Sequence, residues 1–363
     1  THRSPGACRE SRVSWRHANG PSVVRGFLFA GRYGRGCSHA SRVADLPGGE
    51  FHEVSGCAGF GEGSGGNDAH GTHGRRAMIR MPTQQTVYVD PPYPAYYGDK
   101  FFDRNDQVLG RDGTLEPPWR LQKKFLDAGR VMHTADFYLN GKDKPSNGGV
   151  DYYSLGVLKN YRSLSSAAGA RLRAFLIFEP PVVAPHLYRE LPELTLSFER
   201  VYIHNTEGDG YSLKGVDHSR LKKLYWPQPY VGVLPGLWEN TNRDRRIVVI
   251  NGNHKPVSYA GELYGSRISV MSQLESMDAV DLYGMGWERW WSRNSFWFPY
   301  WRNYHRLMRV YKGPSKSKHE TLSRYMFSLC FENMAMDGYI TEKLFDCLYA
   351  GTIPNYLGAN DID

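Results

Sequence analysis

At 363 residues the chain has room for two or three domains, and its 40% apolar content suits a globular protein with a sizeable core. No stretch approaches the ~18–20 consecutive apolar residues of a membrane-spanning helix. The nearest, residues 23–30, is far too short and lacks a signal-peptide cleavage site. The net charge of +8 would favour nucleic acid, yet residues 1–80 hold 11 Arg, no Lys and 6 acids, leaving only +3 for the rest. No basic stripe alternates with aromatics as in single-strand binders, so no nucleic-acid partner is expected.

Residues 1–80 keep neither helical nor strand periodicity. Lysine is common enough that about five would be expected in such a length, but the first is Lys100. Glycine is dense, as in GFGEGSGG at 59–66, and Cys8, Cys37 and Cys57 with His17, His39 and His52 fit no metal-ligand spacing. The segment is expected to be a disordered or non-native tail, with Met78 or Met81 as the native first residue. Cys330 and Cys347 read as small core residues. Five cysteines without paired spacing point to a reducing compartment, so the protein is expected in the cytoplasm or peripheral to a membrane.

From residue 81 onward, strands and helices alternate. Residues 86–89 read as a strand running into DPPYP, followed by a helix near 121–128 and a YSLG segment at 153–156. A strand at 174–178, a helix near 186–191 and a strand at 200–204 complete this half. Breakers cluster in VLPGLWENTN at 233–242, and a second series starts with strand 247–250, helix 263–274 and strand 280–283. Strand 325–331, helix 342–350 and strand 352–356 close it. Such alternation predicts an α/β fold with two parallel sheets, divided as residues 81–238 and 239–363. GDG at 208–210 and GMG at 284–286 read as tight turns, and WERWWSRNSFWFPYW at 287–301 as a packed surface loop.

The stretch YMFSLCFENMAMDGYITEKLFDCLYAGTIPNYLG at 325–358 carries the most chemistry. Its strand is too continuously apolar to be half-exposed and reads as buried on both faces. Thr341 is the expected N-cap; Leu344, Phe345 and Leu348 mark one helical face, and Gly351 stands where the helix stops. A strand–loop–helix unit aims backbone N–H groups and a positive dipole end at an anion, phosphate above all. Lys343 in the first turn opposes that dipole unless an anion lies beside it. Glu332 reads equally as a pocket residue or as a partner for loop N–H groups.

FEN, the TEK of YITEK, the glycine-bounded helix and IPNYLG together resemble the signature of the α-1,3-fucosyltransferases (glycosyltransferase family ten), in its bacterial branch. FLIFEPPVVAPHLYRELPEL at 175–194, RIVVINGNHKPVSYAGELYGSRISVMSQL at 246–274 and VDLYGMGW at 280–287 extend the resemblance to residues 85–363. It implies a GT-B fold: two Rossmann-like domains facing a cleft, acceptor-side in residues 81–238 and donor-binding in 239–363. Typical members continue further, so the resemblance also implies a truncated C-terminus. The implied reaction is an inverting transfer of L-fucose from GDP-fucose to a GlcNAc-type hydroxyl of a glycan such as N-acetyllactosamine, in α-1,3 linkage.

Such a transfer needs a base for the acceptor hydroxyl, room for an oxocarbenium-like transition state and cations for the departing GDP. Glu179 follows an apolar strand and is held extended by Pro180; it is the candidate base. It matches the Glu of the family's Glu-Ser-Pro segment, although no serine stands here. Arg267 matches the family's phosphate-pairing arginine, whose guanidinium fork suits such oxygens. Lys343 matches a second phosphate-facing cation, and Glu342 a contact to hydroxyls of the ribose or fucose. Asn333 and Tyr339 match loop residues of the nucleotide pocket, and Asn253 lies in the donor-side NGN. No cofactor or metal is implied, the one DxD being the DID at 361–363. Two other readings stay open: a GT-B transferase for another nucleotide sugar, and a non-catalytic fragment that binds nucleotide or glycan. Deleting residues 1–80 should leave GDP binding and the melting temperature unchanged. A drop of more than a few degrees in a thermal melt would show instead that the tail packs on the folded part.

Overall fold

The computed structural model describes residues 85–362 apart from 142–148, 166–168, 259, 290 and 292–296. The expectations for residues 1–80, with Cys8, Cys37, Cys57, Met78 and Met81, and for Asp363 lie outside the described residues. The first sheet is built from β1 (Thr86–Asp90), β2 (Val131–Thr134), β3 (Val150–Ser154), β4 (Ala170–Leu176), β5 (Arg200–Ile203) and β6 (Leu221–Lys223). Its order is β2-β1-β3-β4-β5-β6, and every pairing is parallel. The second sheet holds β7 (Asp244–Ile250), β8 (Val280–Tyr283), β9 (Tyr325–Phe331) and β10 (Ile353–Leu357). These run parallel in the order β10-β9-β7-β8. Parallel neighbours need crossover connections, and helices supply them. Two helix-flanked parallel sheets are the expected α/β, GT-B class. That architecture gathers loops, and with them chemistry, at the C-terminal ends of the strands.

Each sheet has its own core. Around the first, Phe175, Ile177, Leu191, Leu194, Phe198 and Val201 are fully enclosed, with the rings of Tyr161, Phe175 and Phe198 meeting 5.3–6.2 Å apart. The second core joins Val249, Met271, Leu282, Tyr300 and Leu307, and it also takes in Val182 from the first half. Val257 N–H donates to the Val182 carbonyl at 2.8 Å, so the segment after β4 is sewn into the second half by backbone as well as side chain. Among the described residues no helix is long and apolar enough to cross a membrane.

Three expectations need correction. β4 begins four residues earlier than read and ends at Leu176, which leaves Glu179 three residues beyond the strand rather than at its tip. The aromatic run is no loop at its end: Phe298–Val310 is a helix that buries Tyr300, Leu307 and Val310. Trp287 and Trp297 are buried too. Aromatics on every side of the helix hid the 3.6-residue period that marks one buried face. On the helix Glu342–Ala350 the buried residues are Asp346, Cys347, Tyr349 and Ala350, whereas Leu348 is 41% exposed. Of the expected Leu344–Phe345–Leu348 stripe, Leu344 packs against the core while Leu348 faces away from it. Cys347 and Ala350 pack with Cys330 of β9, and Tyr349 donates to Gln228 Oε1 at 3.1 Å. Two different neighbours thus claim the helix, one of them polar, which hydrophobicity does not register. Strands β2 and β6 escaped notice because VMHT is short and mixed, and LKK exposes both lysines.

Phe175 is wholly enclosed, so Phe175→Ala should lower unfolding free energy by ~3–5 kcal/mol in urea denaturation, transfer and cavity costs combined.

Candidate active site

β9 ends in a carboxylate that water does not reach. Glu332 is 0% exposed and accepts the Thr341 backbone N–H at 2.8 Å, the Thr341 hydroxyl at 2.8 Å and the Lys343 ammonium at 3.1 Å. It therefore serves the loop N–H groups and binds a cation at once. Thr341 is the N-cap, its side chain accepting from Lys343 N–H, and Gly351 closes the far end with φ 73°. Lys343 Nζ also donates to Thr341 Oγ1 at 2.9 Å and lies 3.6 Å from Glu342. The anion that a first-turn lysine calls for is thus supplied first by the protein's own carboxylates. Burial alone would lower the Lys343 pKa, but Glu342 and Glu332 outweigh it and hold the ammonium above its ordinary value. Burial pushes Glu342 up, yet the charges of Lys343 and Lys318 bring it down to about 2. Glu342 Oε2 is buried with no hydrogen-bond partner.

Arg267 reaches the same point from the helix Tyr264–Glu275. Its Nη2 donates to the carbonyls of Phe331 at 2.7 Å and Glu332 at 3.0 Å, the two groups that β9 leaves unpaired as it exits the sheet. The guanidinium lies 5.2 Å over the Tyr264 ring, and its buried Nε has no partner. Burial lowers its pKa. A guanidinium edge enclosed without an acceptor is costly, and an incoming anion removes that cost.

The remaining donor-side residues shape the surroundings. Asn253 N–H donates to Met285 O at 2.9 Å and Nδ2 to Gly286 O at 3.3 Å, tying the NGN turn to the GMG turn, while its buried Oδ1 has no partner. The Asn333 carbonyl accepts Leu263 N–H at 3.1 Å and so fixes the start of the helix that carries Arg267. Tyr339 is buried edge-on against His204, ring centres 5.0 Å apart. Beside it Gly338 has φ 78°, and a Cβ there would stand 2.5 Å from the His204 carbonyl oxygen. Only glycine lets the loop press this closely on the end of β5. Asp361, from the DID, accepts the Gly338 N–H at 2.7 Å and so anchors the loop.

Glu179 comes from the opposite sheet. The Tyr188 hydroxyl holds its backbone carbonyl at 3.0 Å. Burial raises the pKa of its carboxyl, Lys343 pulls it down and Glu342 pushes it up. Lys343 of the second half and Glu179 of the first are therefore near enough to act on one another. Sequence reasoning missed Lys318, which lies 3.0 Å from Asp346 and 4.0 Å from Glu342. Its helix, Lys318–Leu322, is only five residues long. The available signal was the S-x-x-E of Ser317 and Glu320, an N-terminal capping pattern; Ser317 Oγ indeed accepts Glu320 N–H at 3.2 Å. Asp112 of the first half accepts the Ser317 hydroxyl at 2.6 Å and Lys318 N–H at 2.9 Å, a second seam between the halves. A separate pocket of about 580 Å³ lies between His204–Asp209, Lys223, Asp337 and Asp361. Its four carboxylates would repel a pyrophosphate, and the cations described above do not line it.

Residues 242–363, which include the whole second sheet, match the family model described as glycosyltransferase family 10 (fucosyltransferase) C-term. This part of the chain is similar to a family 10 glycosyltransferase domain. Among curated relatives, the α-(1,3)-fucosyltransferase FucT of Helicobacter pylori is 49% identical over 47 residues, 13% of this chain and 10% of that protein. The GDP-fucose protein O-fucosyltransferase 3 of Xenopus tropicalis is 44% identical over 45 residues, 12% of this chain and 10% of that protein. The chain thus matches only a tenth of the length of these relatives. A crystal structure of an α1,3-fucosyltransferase aligns over 79% of this chain and 71% of its own at 16% identity, with a TM-score of 0.40.

The depressed Glu342 has a consequence for acid stability. Its contribution is present above the ordinary glutamate pKa of ~4.3 and is lost as pH falls through the folded value of about 2. Melting temperatures taken down this pH range should therefore fall less steeply for Glu342→Gln than for the unaltered protein.

Proposed function

We propose that this protein transfers L-fucose from GDP-fucose to a GlcNAc-type hydroxyl of a glycan, with inversion and in α-1,3 linkage. The observation that carries the reading is the cluster at the end of β9, where Lys343 and Arg267 meet beside Glu332 and where Arg267 Nε and Glu342 Oε2 are buried without a partner among the described residues. In this scheme residues 81–238 form the acceptor side and residues 239–363 the donor-binding side. Glu179 takes the proton of the acceptor hydroxyl as its oxygen attacks the anomeric carbon of fucose. The bond from that carbon to the GDP phosphate oxygen breaks, and GDP leaves with the electron pair. A single displacement inverts the anomeric centre. Lys343, the unmatched edge of Arg267 and the N-terminus of the helix Glu342–Ala350 receive the negative charge. Glu342 is placed to accept hydrogen bonds from ribose or fucose hydroxyls through its unpartnered Oε2. With these cations supplied by side chains, the reaction needs no metal. The names of the Helicobacter and Xenopus relatives support the linkage and the donor, respectively.

The base and the cations should separate experimentally. Glu179→Gln should slow transfer from GDP-fucose to N-acetyllactosamine ~10²–10⁴-fold while leaving the GDP dissociation constant unchanged by calorimetry. It should also raise the melting temperature at neutral pH, because a half-buried carboxylate with a raised pKa has been removed. Lys343→Ala should weaken GDP binding by about 10–100-fold, the loss of one charge-assisted contact. Chelator should change neither measurement. Unaltered turnover in Glu179→Gln, or GDP binding that disappears with chelator, refutes the corresponding assignment.

A further inference from the structure

Residues 285–310 take no part in the transfer, yet they hold nine aromatic residues, five arginines and a single acid. The helix Phe298–Val310 turns Tyr300, Leu307 and Val310 inward. Its opposite side exposes Phe298 (66%), Trp301 (56%), Arg302, His305 and Arg306. Spacings of three and four residues place these side chains on one continuous stripe. Arg309, further along, is paired with Glu275, and the lone acid Glu288 accepts from the Tyr311 hydroxyl at 3.0 Å. Arg302 and Arg306 have no hydrogen bond or salt bridge among the described residues, although the charge of Arg306 acts on Glu275 along with that of Arg309. The stripe thus offers two uncovered aromatic rings, two guanidinium groups that make no hydrogen bond or salt bridge among the described residues, and an imidazole, with no carboxylate on the stripe itself.

We propose that this outer face docks on the surface of an anionic lipid bilayer. Indole and phenyl rings partition to the boundary between headgroups and acyl chains, and arginines on the same helix bind lipid phosphates. The single sign of charge selects a polyanionic partner. A single-stranded nucleic acid is also anionic and stacks on aromatics, but it is held in a groove that tracks its backbone. Here the rings project from the convex side of one helix, a shape that meets a broad surface. The location gives the contact a use. β8 runs directly into this segment, and Met285 at its start accepts the Asn253 N–H. The chain that leads to the helix thus leaves β8 at the end of the sheet that holds the NGN turn, so docking there would bring that end of the second sheet toward the headgroups.

Co-sedimentation of the full chain with vesicles tests this. Vesicles of phosphatidylcholine with phosphatidylglycerol should retain the protein, pure phosphatidylcholine vesicles should not, and added salt should weaken retention. Arg302→Glu with Arg306→Glu should abolish binding. Phe298→Ser with Trp301→Ser should reduce it on the order of tenfold or more, since both rings lose an apolar environment. Because all four side chains face solvent, melting temperature and GDP affinity should stay unchanged, which separates this result from failure of the transferase reading. Four outcomes would overturn the proposal: no retention, equal retention on both vesicle types, retention indifferent to both double variants, or displacement of the protein from vesicles by a poly-uridine oligonucleotide that it binds more tightly.

Discussion

The whole donor side depends on one buried carboxylate. Glu332 has no water to solvate it, so its charge must be met inside the protein. Thr341 and Lys343 meet it, and in doing so they set the N-terminus of one helix and the position of one ammonium. The carbonyl of the same residue is met by Arg267, which brings a second cation to the same place. Removing one member of such a cluster leaves a charge or a carbonyl enclosed without a partner, and this costs more than the intact pair contributes. The arrangement is accordingly stiff, a requirement for cations that must already be in place when a leaving group departs.

Stiffness on one side of a cleft matters only if the other side is held too. Three seams hold it here: Val182 in the second core, the Gly338 loop against His204, and Asp112 at the cap of the helix Lys318–Leu322. Asp112 takes a left-handed φ of 54° to make that contact, a conformation that a short polar side chain tolerates better than most. Beyond it, His319 and Lys318 both lean on Asp346, and Lys318 reaches on toward Glu342. A row of polar contacts therefore runs from a loop of the first sheet to the first turn of the helix Glu342–Ala350. Glu179 is the exception. Its carboxyl makes no hydrogen bond among the described residues and its pKa is raised by burial, a condition that suits the proposed base.

The outer face of the second half follows a different logic. The helix Phe298–Val310 hides part of its aromatic surface and leaves the rest beside Arg302 and Arg306, which make no hydrogen bond or salt bridge among the described residues. Interior aromatics such as Tyr300 and Trp287 are explained by packing, the Tyr300 hydroxyl donating to the Trp287 carbonyl. Phe298 and Trp301 are not, and an apolar ring left in water next to these cations asks for a surface to lie on.

Local pattern and spacing determined a great deal. β8, β9 and the helix Glu342–Ala350 have the bounds read from the sequence, because each is a short, self-consistent unit with its own cap or breaker. The same locality made Thr341 and Gly351 legible as helix ends, and the 325–358 stretch legible as a strand–loop–helix–strand unit. What escaped was whatever depends on a neighbour far along the chain. Whether Leu348 or Cys347 faces inward is settled by β9 and by Gln228, not by the helix's own hydrophobic spacing. Lys318 became part of the site only because Asp112, over two hundred residues earlier, caps its helix. Glu332 could be read two ways until folding removed the water around it. The residue types near the site were thus written in the sequence, while their burial, and with it their charge states and partners, was decided by the packing of two sheets against each other.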